Sequence, residues 1–153
     1  MAVSASAIET DVFTALRTLI IANKPSYTRV VSGVETTFTY TMVAEYPRDN
    51  PTFPIVVLNE SKVNVSLLAL DGSGTDYQIE ATLDFYAKEQ HGKKAISVGR
   101  DGLRATFINN LTNFKEIDKL YPMEDFWDDS NISPFQEGNQ LINTGSSLIK
   151  FKF

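Results

Sequence analysis

The sequence contains no cysteine and only one histidine among its 153 residues. The absence of cysteine excludes a disulfide framework, a cysteine-ligated zinc site and thiol chemistry. A serine-based catalytic arrangement would depend on His91 alone, and no G-x-S-x-G nucleophile elbow occurs. Long apolar runs are missing too. The longest of them, at 19–22, 54–58 and 67–70, are far shorter than the ~20 residues that cross a bilayer, so we expect no membrane contact.

An excess of basic residues is also absent. Fourteen Lys and Arg stand against nineteen Asp and Glu, which gives a net charge of −5. A general nucleic-acid binder needs a basic footprint, so direct recognition of nucleic acid is not expected. Residues 1–10 lack the basic and apolar regions of a secretory signal. The composition is typical of a soluble, cytosolic domain.

Apolar residues make up 42% of the chain and charged residues 22%, as in ordinary globular proteins. A chain of this length buries enough surface to form one core, so we predict a single domain over 1–153. An opening helix is predicted from a capping box at Ser6 and Glu9 and from apolar residues at helical spacing up to Pro25. A second helix fits 92–111, with its basic residues outward.

Alternating apolar and polar residues predict strands over much of the remaining chain. Two of them, 62–70 and 76–88, flank a glycine-containing turn at 71–75 and read as a long hairpin. Gly99 and Gly102 weaken the second helix and are expected to allow close packing. The other predicted strands are 36–46, 54–58, 120–127 and 148–153, and the predicted loop segments are 128–131, 134 and 137–139. This pattern predicts an α+β fold in two layers, with a mixed, largely antiparallel sheet packed by two helices.

Few residues suggest chemistry. His91 lies in a polar stretch and is interpreted as a surface residue. The adjacent carboxylates Glu124/Asp125 and Asp128/Asp129 point to opposite faces where they lie on a strand and are solvated where they lie in a loop, unlike the converging pair of a glycosidase. Residues 128–131 could hold a divalent cation through oxygen ligands, but the segment lacks the calcium-loop pattern. We therefore expect no enzyme activity and no cofactor.

Charge is unevenly distributed. Residues 88–104 contain five basic and two acidic side chains, whereas residues 115–137 contain seven acidic and two basic ones. Both segments can simply be solvated surfaces. Alternatively one meets the other, either within a subunit or between identical subunits.

The layout resembles the tail terminator (tail completion) proteins of long-tailed bacteriophages and the related minor tail and head–tail connector proteins. The resemblance consists of an opening helix that ends in LIIANKP at 19–25, a buried strand FPIVVL at 53–58 and a hairpin arm IEATLDFYAK at 79–88. A helix at 95–110 follows the arm directly, and a late strand closes the chain.

The resemblance implies a structural virion protein at the head-proximal end of the tail, assembled in the host cytoplasm. It implies a ring of identical subunits, typically a hexamer, on the last ring of tail-tube protein, where it ends tube growth and joins the head connector. A connector or minor tail protein is the runner-up. A small peptide- or ligand-binding domain, and then an enzyme acting through carboxylates or a metal, are the alternatives of other classes.

A head-to-tail ring needs two unlike patches on each subunit. The two charged segments offer such patches. The hairpin arms could extend a neighbour's sheet by backbone pairing, and the terminal strand 148–153 is predicted to pair either in its own sheet or along a neighbour's edge. The candidate interface residues are Lys93, Lys94, Arg100, Arg104, Asp125, Asp128, Asp129, Asp71, Gly72, Ser73, Gly74, Phe151 and Phe153.

Overall fold

The computed structural model describes residues 2–4, 6–47, 51–59, 62–67 and 74–153. Within these residues the two long helices are α1 (Ile8–Ala22) and α2 (Lys93–Asn109). Short helical segments lie at Glu89–His91, Leu111–Asn113 and Phe114–Asp118. The strands are β1 (Ser26–Val31), β2 (Val34–Thr39), β3 (Thr41–Val43), β4 (Ile55–Leu58), β5 (Lys62–Leu67), β6 (Thr75–Lys88), β7 (Tyr121–Asp129), β8 (Ser133–Glu137) and β9 (Gln140–Lys152).

Seven of these strands form one sheet in the order β3–β4–β6–β9–β7, with β5 also beside β6 and β8 also beside β9. The β3–β4 pair is parallel and the other pairs are antiparallel. Along β6, Ile79, Leu83 and Phe85 are fully buried and share a core with both helices. The predicted two-layer α+β fold with a mixed, largely antiparallel sheet is confirmed.

The predicted long hairpin is confirmed as β5 and β6, which pair from Lys62 opposite Glu80 to Leu67 opposite Thr75. Residues 71–73 of the predicted turn at 71–75 lie outside the described residues, and β6 begins at Thr75. Strand β6 has 14 residues and pairs with β9 along its other side over residues 78–88. The strand is therefore central to the sheet along most of its length.

The opening helix buries the predicted apolar stripe at Ile8, Val12, Leu16 and Ile20. The capping box is wrong, because the helix begins at Ile8 and Ala7 occupies the N-cap position without a side-chain hydrogen bond. The backbone N–H of Ser4 instead donates to the carboxylate of Asp11 at 2.9 Å. Ser6 thus lies one residue too early to cap the helix.

Strands β1 and β2 form a separate two-stranded hairpin that the sequence analysis missed. Ser32 and Gly33 join them with φ values of 51° and 80°, the positive values that a tight two-residue hairpin turn requires. The single predicted strand at 36–46 is wrong, because β2 ends at Thr39 and β3 begins at Thr41 in another sheet.

The last third contains more strand than predicted. Strand β7 runs to Asp129, and β8 occupies part of the predicted loop. Strand β9 begins at Gln140, well before the predicted start at 148. Gly138, with φ of 56°, turns the chain between β8 and β9. Pro134 is compatible with β8 because, among the described strands, β8 pairs only with β9 and so lies at an edge of the sheet.

The two glycines of α2 allow the close packing that the sequence predicted. A Cβ on Gly99 would lie 2.7 Å from the ring of Tyr40, and one on Gly102 would lie 3.1 Å from Pro25. Tyr40 is fully buried beneath the helix, and its hydroxyl donates to the carbonyl of Ala95 at 2.7 Å. Gly99 therefore sets how closely α2 approaches the segment that leads into β3.

We expect Gly99→Ala to lower the free energy of unfolding by about 1–3 kcal/mol, because the added methyl group displaces the buried ring of Tyr40. Urea unfolding monitored by circular dichroism measures the change. Gly102→Ala is the matched control. Its methyl group meets only the edge of Pro25, and the better helix propensity of alanine, about 1 kcal/mol, offsets that contact. Equal losses in the two variants would contradict the packing described here.

Candidate interaction surfaces

Arg100 joins α2 to the strands of the last third. The residue is 8% exposed. One guanidinium nitrogen, Nη1, donates to the carbonyl of Ser130 at 2.7 Å and to that of Ser146 at 3.3 Å. Its Nε lies 3.9 Å from the carboxylate of Asp129. The guanidinium thus satisfies backbone acceptors at the end of β7 and in β9.

The prediction that the basic side chains of α2 all point outward, and that Arg100 is available to a partner, is wrong. Ile96, Leu103 and Phe107 form the buried stripe of the helix. Arg100 follows Ile96 by four residues and precedes Leu103 by three, which places it on the same face. The helical spacing alone carried this information.

Asp129 is held by several groups of its own chain. Its Oδ2 accepts from Arg104 at 3.0 Å, and its Oδ1 accepts from Ser147 at 2.6 Å and from Trp127 at 2.8 Å. Arg104 also pairs with Asp101 at 2.5 Å. Of the alternatives left open for the two charged segments, contact within one subunit is the one observed for Arg104 and Asp129. Neither residue is therefore an unoccupied charge for a neighbour, which corrects their place among the interface candidates.

A second set of charges lies on the sheet face turned away from the helices, which we call the outer face. Lys62 of β5 stands opposite Glu80 of β6, and Glu80 stands opposite Lys150 of β9. Lys150 donates to the carboxylate of Asp125 at 2.8 Å. This hydrogen bond lowers the pKa of Asp125 and raises the pKa of Lys150. The charges thus alternate in sign from strand to strand. Asp125 belongs to this row, and its partner Lys150 lies in the same chain.

Five of the candidate charges are exposed, namely Lys93, Lys94, Asp125, Asp128 and Asp129, but Asp125 and Asp129 are already paired within the chain. The two lysines occupy the first turn of α2. Gly74 lies immediately before β6 and is half-buried, whereas Asp71, Gly72 and Ser73 lie outside the described residues. The charged surface open to a partner is thus smaller than the sequence suggested.

The terminal strand pairs within its own sheet. Strand β9 lies between β6 and β7, and Phe151 is fully buried with its ring 5.1 Å from that of Phe114. Phe153 is half-buried and stacks edge-on against Tyr77 at 5.9 Å. Of the two alternatives for residues 148–153, pairing in its own sheet is the one observed, and the placement of Phe151 at an interface is wrong because both edges of the strand are already paired.

His91 is half-buried in an aromatic contact beside the first hairpin. Its Nδ1 lies 2.6 Å from the hydroxyl of Tyr27, and its ring lies 4.6 Å from that of Phe38. Burial, followed by the positive charges of Arg29 and Lys88, lowers the pKa of His91. Burial raises the pKa of Tyr27 to about 12. The hydrogen bond between Tyr27 and His91 therefore holds the hairpin on the segment just before α2.

The carboxylate pairs do not converge. Asp128 and Asp129 stand opposite Leu148 and Ser147 on β9, so their side chains project to opposite faces of β7, whereas the sequence predicted a loop at 128–131. Within the described ranges, no group of three or more His, Asp or Glu side chains is placed to hold a metal ion.

Two apolar surfaces escaped the sequence analysis. The tip of the β1–β2 hairpin exposes Val30, Val31 and Val34, and a groove of about 440 Å³ lies between α1 and the segment after α2. The Ser32-Gly33 turn signalled the hairpin. A groove between distant segments leaves no such local pattern in the sequence.

None of the helices in the described part of the chain is long and apolar enough to cross a bilayer. A scan against protein-family models matches no family. A search of the curated proteins also gives no match, so the geometry above is the basis for assigning a function.

Proposed function

We propose that the chain is a structural protein of a long-tailed phage virion, namely the tail terminator. As a ring, typically a hexamer, it sits on the last ring of tail-tube protein, ends tube growth and presents the surface that the head–tail connector binds. The order of elements supports this role. An opening helix, the buried strand β4, the long arm β6 followed at once by α2, and the late strand β9 reproduce the layout of the resemblance.

The observation that carries the proposal is the outer face of the sheet. Strands β6 and β9 have 14 and 13 residues, whereas strands of ~5–6 residues are usual. With β5 and β7 they present Lys62, Glu80, Lys150 and Asp125 in alternating sign across the sheet. A ring that stacks on a ring of another protein needs a broad surface with a fixed charge pattern, because charge complementarity selects the partner and its register.

An in vitro polymerisation assay tests this role directly. Tail-tube protein encoded near this chain is polymerised with and without it, and tube lengths are measured by negative-stain electron microscopy. We expect shorter tubes whose length falls as the concentration of this protein rises. An unchanged length distribution would overturn the terminator role, and binding to capsid portals without binding to tube ends would replace it with the connector role.

The exposed lysines at the start of α2 provide a variant for the same assay. We expect Lys93→Glu/Lys94→Glu to reduce capping of tubes roughly tenfold, the equivalent of about 1.4 kcal/mol of binding free energy. Glutamates in the first turn of a helix interact favourably with the helix dipole, so we do not expect the substitutions to destabilise the fold. Lys24→Glu/Lys115→Glu makes the same change in net charge at two other exposed lysines and is expected to cap normally. If both variants cap tubes equally well, Lys93 and Lys94 have no role in assembly.

A further inference from the structure

One side of the β1–β2 hairpin, which carries Tyr27 and Arg29 and which we call its inner side, packs on α2 and on the segment before it. At its base, Pro25 lies beside Gly102 of α2. Farther along, Tyr27 packs edge-on against His91, and Arg29 donates to the carbonyl of Gln90 at 2.6 Å. The hairpin therefore runs back along α2 and passes its N-terminus, because Gln90 and His91 precede that helix.

At the tip of the hairpin, the inner side is not covered by any other described part of the chain. Val31 and Val34 stand opposite each other next to the turn, on the side that carries Tyr27 and Phe38. They are 42% and 65% exposed. The other side of the hairpin is polar except for Val30, and its residues are exposed. A pair of apolar side chains that extends the packed side beyond the chain's own core is suited to contact with another surface.

A groove that fits such a pair lies at the other end of α2. Thr14, Ala15, Thr18, Leu19 and Ala22 of α1 form one wall. Asn110, Phe114, Ile117 and Asp118 form the opposite wall. Ile117 is 51% exposed. The volume of about 440 Å³ falls within the range of about 300–1,000 Å³ that is usual for ligand pockets, which is enough for the side chains of a hairpin tip.

The two surfaces belong to one chain but cannot meet within it. The hairpin tip lies beyond the N-terminus of α2, whereas the groove begins at Asn110, which caps its C-terminus. A helix of 17 residues is about 25 Å long. We propose that the tip formed by Val31 and Val34 inserts into the α1–Ile117 groove of a second copy of this chain.

This contact joins unlike patches of identical subunits, so each copy donates a tip at one end and accepts one at the other. Such a head-to-tail interface closes into a ring when its rotation permits. The inference thus supplies the subunit contact of the proposed ring, and in that respect it rests on the proposed function. A hairpin tip covers little area, so a single contact is weak. In a closed ring every copy makes two such contacts, one through its tip and one through its groove, and this multivalency strengthens the assembly.

Cysteine cross-linking tests the contact in the protein alone, and the absence of native cysteine makes the result specific. Val34→Cys places a thiol on the tip and Thr18→Cys places one in the groove. An equimolar mixture of the two single variants, treated with a short bis-maleimide, is expected to give covalent dimers and nothing larger. A chain that carries both substitutions is expected to give a ladder of higher oligomers. Thr37→Cys, on the outward side of the same hairpin, replaces Val34→Cys in the control mixture.

We expect roughly tenfold more cross-linked dimer from the Val34→Cys and Thr18→Cys mixture than from the control mixture. Adding Val31→Asp to the tip variant is expected to abolish the excess, whereas adding Val30→Asp on the polar side preserves it. Each variant is first checked for the thermal unfolding of the parent chain, and Ala15→Arg, added to the Thr18→Cys variant, blocks the groove if a tip variant does not fold. Yield no higher than the control, or equal cross-linking within each single variant, would overturn the proposal. The cross-linking assay does not involve tube capping, so a failure of the proposed subunit contact can be distinguished from a failure of the terminator role.

Discussion

Phe151→Ala is expected to lower the free energy of unfolding by about 3–5 kcal/mol, the range for removing a fully buried phenylalanine. Phe151 stands opposite Ile79 on one side and Pro122 on the other, and its ring packs against Phe114. The substitution therefore leaves a cavity where the sheet meets the segment after α2. Chemical unfolding monitored by circular dichroism measures the loss.

Phe153→Ala is the matched control because it removes the same side chain two residues later. Phe153 is half-buried and contacts Tyr77. We expect it to cost less than half as much as Phe151→Ala. A neutral effect of Phe151→Ala on stability would show that the terminal strand does not sit in the middle of the sheet.

Arg100→Glu is expected to lower the free energy of unfolding by about 3–5 kcal/mol, since it leaves an unpaired charge at a buried site. The new carboxylate would face the carbonyls of Ser130 and Ser146 as well as Asp129, and none of these groups can donate a hydrogen bond to it. Thermal unfolding of the purified variant measures the effect.

Arg104→Glu is the control for that substitution. Its side chain is 35% exposed, and partly exposed ion pairs contribute about 0–1 kcal/mol. A small loss for Arg104→Glu beside a large one for Arg100→Glu is the expected result, and equal losses would contradict the buried position of Arg100. Any assembly assay that reverses Arg100 would therefore report folding rather than subunit contact.

The elements with strong local patterns were predictable. The stripe of α1 and the alternation of the β5–β6 hairpin repeat apolar side chains at the period of the element, and β4 is a continuous apolar run. The structure confirms all three. The β1–β2 hairpin was missed because its strands carry exposed threonines and valines, which make the alternation faint. Strand β8 was missed because Pro134 and Gly138 are loop signals, and only pairing with β9 makes that edge strand possible.

The candidate surfaces were less predictable because a surface depends on which residues remain uncovered. Phe151 and Arg100 occupy alternating or helical positions that were visible in the sequence, yet their neighbours across the sheet were not. Asp129 shows the same limit, since its partner Arg104 lies 25 residues earlier. Lys93, Lys94 and Asp128 were identified from charge alone, and the structure leaves all three exposed.

The central claim is that this chain binds one end of a tail tube. Electron cryomicroscopy of purified tubes incubated with the protein carrying a gold-labelled cysteine at Thr37 tests it most directly, since Thr37 is exposed on the hairpin away from the proposed contacts. We predict gold at a single end of each tube and an extra ring of density there. Gold distributed along the tube walls, or tubes with no gold at all, would contradict the account.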